Sequence, residues 1–143
     1  MSMETIIGKN YPKQVIPLID KAVKSIKIVV FDWRWYENDP ANPCQLFNAS
    51  IVRACKRGVK IQACVNSNAI AKPLSLNGID VKIPVSKNLI HTKFIIIDDE
   101  ILVMGSHNFS QSAFTTNYET SIISRDSLQV KEFVSFFNSI WSL

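Results

Sequence analysis

The chain holds two histidines, and one of them opens a run of residues whose types and spacing suit chemistry on a phosphate. From His91 to Asn108 the sequence reads HTKFIIIDDEILVMGSHN, and NYE follows at 117–119. In extended chain, successive side chains alternate faces. His91 and Lys93 therefore share one face, while Thr92, Phe94, Ile96 and Asp98 take the other. Ser106 and Asn108 share a parity at the end of the next strand. Two neighbouring strands thus bring an imidazole, an ammonium, a hydroxyl and a carboxamide towards one small volume. Lys93 supplies a point charge there, and Ser106 and Asn108 supply neutral donors. His91 is the side chain best suited to act near neutral pH as nucleophile or proton donor. No aspartate or glutamate cluster stands nearby at metal-ligand spacing, so no metal or cofactor is expected, and lysine and neutral donors would stabilise the developing charge. A histidine beside an apolar strand is more often a satisfied structural residue, and His-x-Lys is common by chance. The weight rests on the full spacing.

The elements that must position this set follow from apolar patterning. The run 94–97 is apolar at every position, as in a strand buried on both faces, and 101–104 reads as its neighbour. Between them Asp98-Asp99-Glu100 reads as a tight turn, a solvated hairpin tip rather than a metal site. Upstream, a short strand is expected near 5–8, then a helix capped by Asn10 that carries Val15, Ile16, Leu18, Ile19, Ala22 and Val23 on one face. Pro17 suits no helix interior, so that helix should start late or kink there. A buried strand over 26–31 runs into Asp32-Trp33-Arg34-Trp35-Tyr36, whose aromatic residues fit the edge of the core or a subunit contact better than base stacking. After a turn-forming stretch at 38–43, a helix over 44–57 ends at Gly58, and 59–65 is a further strand. The segment 66–77 reads as a polar connection with one helical turn, and 79–85 as an edge strand because Pro84 cannot donate to a ladder. A loop or short helix at 110–116 leads to a last strand over 118–124. Asp126 and Gln129 then resemble a capping box opening a final helix whose apolar stripe is wider than one sheet face needs. This alternation predicts an α/β layered sandwich, helices on both sides of a central mixed β-sheet, formed by residues 1–143 as one domain.

The spacing His91-x-Lys93-x4-Asp98-x6-Gly105-Ser106-x-Asn108 resembles the HKD signature of the phospholipase D superfamily at every signature position, and Glu119 matches an acidic residue that follows it. Arg57-Gly58-Val59 is similar to a step that precedes a strand in the same superfamily. The likeness is nearest to the small single-motif members, the Nuc-type bacterial endonucleases, and spans nearly the whole chain. It implies a phospholipase D-like fold and a metal-independent phosphodiesterase that works through a covalent phosphohistidine. It further implies that His91, Lys93, Asn108 and Glu119 are catalytic, that Lys93, Ser106 and Asn108 hold phosphate, and that Asp98 and Gly105 are structural. Glu119 is expected to accept a hydrogen bond from the His91 ring and fix its tautomer. The superfamily uses two such motifs per active site, and this chain has one; His107 lacks the lysine two residues on and reads as incidental. A homodimer whose twofold axis sets two copies of His91 and Lys93 face to face resolves the deficit.

Composition bounds the substrate loosely. The net charge of +4 is mild, with Lys9, Lys13, Lys21, Lys24 and Lys27 early and Arg53, Lys56, Arg57 and Lys60 later, a pattern that solvated helix faces explain as well as a polyanionic partner does. No apolar run approaches the roughly 20 residues of a membrane span, and the N-terminal stretch does not read as a secretory signal, so a cytoplasmic location without stable membrane association is expected. The odd set Cys44, Cys55 and Cys64, without CxxC spacing, reads as buried thiols in a reducing compartment. Nucleic acid is the expected substrate. A cardiolipin-type phospholipid and a non-catalytic nucleic-acid-binding module are the alternatives.

Overall fold

The computed structural model describes residues 3–143. Seven strands form one mixed sheet in the order β1-β7-β6-β5-β2-β3-β4, where β1 is Met3–Ile7, β2 Ser25–Val29, β3 Lys60–Cys64, β4 Asp80–Lys82, β5 Phe94–Ile97, β6 Ile101–Gly105 and β7 Thr120–Ser124. β2, β3 and β4 run parallel, and all other pairs are antiparallel. The helices are α1 (Asn10–Asp20), α2 (Pro43–Lys56), α3 (Asn68–Leu76), α4 (Gln111–Thr115) and α5 (Ser127–Trp141).

The strand parities build two unequal cores. Ile26, Ile28, Ile61, Ala63, Ile95, Ile97, Val103 and Ile123 face one side, where Val15 and Ile19 of α1, Phe47 and Ile51 of α2, Leu74 of α3 and Phe114 of α4 cover them. Val29, Cys64, Phe94, Ile96 and Leu102 face the other side, where α5 is the helix that covers them, with Val130 and Phe137, and Ile90 of the preceding segment joins the cluster. β5 is apolar at all its positions because it lies inside the sheet with helices on both faces.

Several local expectations shift. α1 starts at Asn10 itself, and the residue before it, Lys9, makes no side-chain cap. Pro17 stays inside that helix on its exposed side, where the carbonyl that loses its partner meets water. The polar connection at 66–77 holds the nine-residue α3 rather than one turn: Ile70 and Leu74, one turn apart, both bury on the sheet, and tertiary packing overrides Pro73. β4 is shorter than expected and does lie at an edge. The last strand begins at Thr120, leaving Tyr118 fully exposed. The capping box of α5 is half formed. Asp126 accepts from the Gln129 N–H at 3.0 Å, but the Gln129 side chain accepts from Ser124 instead of returning to Asp126.

Candidate active site

The site lies at one end of the sheet because of how β5 and β6 are joined. Their hairpin turns at Asp98 and Asp99, whose φ values of 55° and 51° place both in the left-handed region. The Glu100 N–H closes the turn on the Ile97 carbonyl at 3.0 Å, the geometry a two-residue turn with positive φ at both central positions provides. Asp98 also ties this tip to the chain entering β2: its Oδ1 accepts from the N–H groups of Lys24 at 2.7 Å, Ser25 at 3.1 Å and Val23 at 3.2 Å. Burial works to raise the pKa of this carboxyl, and those N–H groups outweigh it, leaving the acid below its ordinary value. The hairpin tip is thus pinned at the end of the sheet opposite to His91, roughly 17 Å along the chain from Lys93.

At the other end the chain approaches β5 without regular structure, and Phe31, just beyond β2, organises it. The His91 ring packs on Phe31 with centroids 5.1 Å apart, and Lys93 Nζ stands 5.6 Å from the centre of the same ring. Lys93 Nζ donates to the His91 carbonyl at 2.9 Å. The His91 side chain is exposed, and neither ring nitrogen has a hydrogen-bond partner among the described residues. Asn66, two residues beyond β3, donates to the carbonyls of Phe31 at 3.0 Å and Ile90 at 2.8 Å, and so sets the segment bearing His91 against the end of β2. Asn108 is held by the Asp32 N–H, which its Oδ1 accepts at 3.1 Å. Its amide N–H groups are left without a protein acceptor among the described residues. His91, Lys93 and Asn108 therefore gather around Phe31 and Asp32. Sequence reasoning missed Phe31 and Asn66. The polar residues that follow each of them at a strand end are the available signal, and it is a weak one.

Ser106 and Glu119 depart from expectation. The Ser106 hydroxyl donates to Glu119 Oε1 at 2.6 Å and accepts from the Thr120 N–H at 3.0 Å. Glu119 Oε2 accepts from Asn117 at 3.0 Å. The expected bond from the His91 ring to Glu119 is not made. The reason is register: Gly105 pairs with Ser121, so Ser106 arrives opposite Thr120 and captures the carboxylate next to it. For the same reason the Ser106 proton is engaged by Glu119 rather than free for a phosphate. Gly105 has no room for a side chain. A Cβ there would collide with the Ser121 side chain and Cα and with the Thr120 carbonyl, so the close approach of β7 requires glycine.

His107 is a structural residue. It is 1% exposed, its Nε2 reaches the Gly8 carbonyl at 2.8 Å and its Nδ1 meets the Ser121 hydroxyl at 2.7 Å. A carbonyl only accepts, so Nε2 carries the proton and Nδ1 accepts from Ser121. Burial lowers its pKa below the usual imidazole value, although the Gly8 bond and the nearby Glu119 charge oppose the shift.

Three of the basic residues singled out from the sequence are engaged away from this end. Arg53 pairs with Asp20 at 3.0 Å, Lys27 with Asp99 at 2.7 Å, and Arg57 caps the end of α1 through the carbonyls of Ile19 and Ala22. These three cations serve the opposite end of the sheet. Of the aromatic run after β2, Trp33 is core, donating to buried Asn48 at 2.7 Å. Among the described residues no three His, Cys, Asp or Glu side chains converge as a cation cage, and no helix is long and apolar enough to cross a membrane. Beside His91 a cleft of about 500 Å³ opens between the 84–92 segment and α5, lined by Leu89, Phe136, Ile140 and Leu143.

A family profile described as "Cardiolipin synthase, PLD-like domain" matches residues 15–141. Among curated proteins, the mitochondrial cardiolipin hydrolase of Xenopus tropicalis is 24% identical over 134 residues, covering 90% of this chain and 60% of the relative. That of Drosophila melanogaster is 26% identical over 155 residues, covering 90% and 57%. The chain thus spans about 60% of the length of these relatives. Among solved structures, the phospholipase D family member Nuc of Salmonella typhimurium superposes with a TM-score of 0.80 at 22% identity, covering 99% of this chain and 95% of that one. NucT of Helicobacter pylori gives 0.79 at 19% identity, covering 99% and 96%. At such identities the structural likeness establishes the α/β fold, and the profile match across most of the sequence establishes kinship: the chain belongs to the phospholipase D-like family.

Proposed function

We propose that this chain is a metal-independent phosphodiesterase that cleaves nucleic acid, with a complete active site formed when two copies meet about a twofold axis. One observation carries the reading: an exposed imidazole with both nitrogens unengaged packs against Phe31, the ring that the Lys93 ammonium also approaches, while the Asp32 N–H next in sequence holds Asn108. A structural histidine would be tied down, as His107 is.

In this mechanism a ring nitrogen of His91 attacks phosphorus and forms the N–P bond as the P–O bond to the leaving group breaks. His91 of the second copy gives its proton to the departing oxygen. That neutral imidazole then takes a proton from water, whose oxygen attacks phosphorus, breaks the N–P bond and frees the first histidine. Lys93 and Asn108 hold the nonbridging oxygens, where they oppose charge growing in the transition state. Ser106 contributes only after releasing Glu119, so Glu119 acts first as a positioning residue for the hydroxyl. Asp98 and Gly105 act through the frame, by pinning the hairpin tip and by admitting β7.

The nucleic-acid choice is supported by a shared fold with Nuc and NucT. A phospholipid substrate is favoured by a different observation, the apolar cleft against His91, and by the names of the curated relatives. Single-stranded DNA, duplex DNA, RNA and cardiolipin vesicles assayed side by side in EDTA test both. Cleavage of nucleic acid alone supports the proposal, cleavage of lipid alone replaces it, and activity that EDTA abolishes and a divalent ion restores rejects the metal-free mechanism. Sedimentation under assay conditions tests the dimer, which a fully active monomer rules out.

A further inference from the structure

A second, polar cavity of about 410 Å³ adjoins the site and takes no part in the chemistry above. Asp32, Arg34, Tyr36, Gln111, Ser112 and Thr116 are among the residues that line it. It connects directly to the catalytic end. The Asp32 N–H is the group that holds Asn108, and Phe31, which carries His91, is the preceding residue. The segment 32–34 is itself fixed against 109: the Phe109 N–H donates to the Asp32 carbonyl at 3.0 Å and the Arg34 N–H to the Phe109 carbonyl at 2.8 Å. In this extended stretch Trp33 turns into the core, so Asp32 and Arg34 turn the opposite way, into the cavity.

The chemistry of the lining identifies what fits. Arg34 Nε donates to both Asp32 oxygens, at 2.9 and 3.0 Å, so the pair is neutral as a unit and offers no net charge for a second phosphate. The terminal guanidinium nitrogens have no protein acceptor among the described residues, and each Asp32 oxygen keeps a lone pair. Tyr36 accepts the Gln111 N–H at 2.8 Å and retains its own proton to donate. The cavity therefore presents paired donors and acceptors without net charge, which matches the edge of a nucleobase or the hydroxyls of its sugar. We infer that this cavity is a subsite for the nucleoside flanking the scissile phosphate, with the Asp32–Arg34 pair and Tyr36 as its specificity-determining groups. The inference rests on the nucleic-acid reading of the His91 site.

The test compares the wild type with Arg34→Gln on two substrates: a dinucleoside monophosphate, and methyl p-nitrophenyl phosphate, which has neither base nor sugar. The side chain of Arg34 lies at the surface, so the substitution leaves the core intact. The variant is expected to lose about tenfold in kcat/KM on the dinucleotide, mainly through KM, the scale of one lost hydrogen bond to a charged donor, and to act normally on the aryl ester. Equal loss on both substrates, or on neither, overturns the subsite. Separately, adenosine, guanosine, cytidine and uridine are titrated into the His91→Asn variant while the backbone amides of Gln111, Ser112 and Thr116 are followed by NMR, with glycerol and inorganic phosphate as controls. Saturable shifts with a nucleoside alone support the subsite even if no nucleic acid is cleaved, in which case only the nuclease reading falls. No shifts, or the same shifts with glycerol or phosphate, overturn the subsite even in an active nuclease.

Discussion

The two histidines of this chain occupy neighbouring parts of one structure and are opposite in kind. His91 is exposed, packs against Phe31 with the two rings tilted and leaves both nitrogens open. His107 is buried beside Tyr11, with ring centroids 4.6 Å apart, and has both nitrogens engaged. The contrast teaches that a histidine is made reactive by what the fold withholds from it. The fold gives His91 a platform, a nearby cation and no internal partner. It gives His107 a donor, an acceptor and no access to water, which turns an imidazole into a rivet between the β1–α1 turn and β7.

That contrast can be broken most decisively at His91. His91→Asn is expected to lower phosphodiester turnover by at least ~10³-fold, since nucleophile and proton donor go together, with a melting temperature within about 1 °C of wild type. Residual turnover within tenfold of wild type would place the chemistry elsewhere. His107→Ala should do the reverse. It strands the Ser121 hydroxyl, leaves the Gly8 carbonyl only its longer bond from the Tyr11 N–H and opens a void, a cost of about 2–4 kcal/mol or roughly 5–15 °C in melting temperature, while turnover per folded molecule stays within about threefold. An unchanged melting curve would refute the structural assignment. Asp98→Asn falls next. With the charge on its three backbone partners gone, about 1.5–3 kcal/mol of stability is expected to be lost in denaturant titration, with KM unaffected.

Acidity sharpens the same comparison. His107 is neutral when folded and its pKa is lowered, so the unfolded chain binds the proton first as pH falls. Stability is therefore full above about pH 6.5 and declines below it, by up to about 1.4 kcal/mol per pH unit, until the folded pKa is reached. His107→Gln should flatten that slope. Asp98 acts lower and with the matching sign for an acid: its stabilisation is present above the ordinary carboxylate range and is lost as pH falls through its depressed folded value. The smallest effect is expected at Ser106. Ser106→Ala leaves Glu119 bonded to Asn117 and should change kcat less than about tenfold, and a larger loss would place the hydroxyl on the phosphate in the transition state.

Much of the frame could be read from local pattern. The four apolar residues of β5 announce a strand covered on both faces, and the acidic hairpin tip at 98–100 is where charge in an apolar run must sit. The residues of the signature were legible because their spacing is long and fixed. What was not legible arises from register and from contacts between distant segments. No rule of local sequence tells that Ser106 will land opposite Thr120 and take Glu119 from His91, or that Phe31, far upstream in the chain, will lie against two signature residues. α3 eluded the pattern because Pro73 argues against a helix that only burial of Ile70 and Leu74 sustains.

The uneven covering of the sheet has a mechanical consequence. Four helices lock one face, whereas the opposite face depends on a single helix, α5, whose far end carries Ile140 and Trp141. Hydrogen exchange should therefore register its least costly opening there, with α5 lifting as a unit while the β2–β3 side stays closed. Because Ile140 and Leu143 also wall the cleft next to His91, each such excursion would widen the approach to the imidazole without disturbing the sheet that aims it.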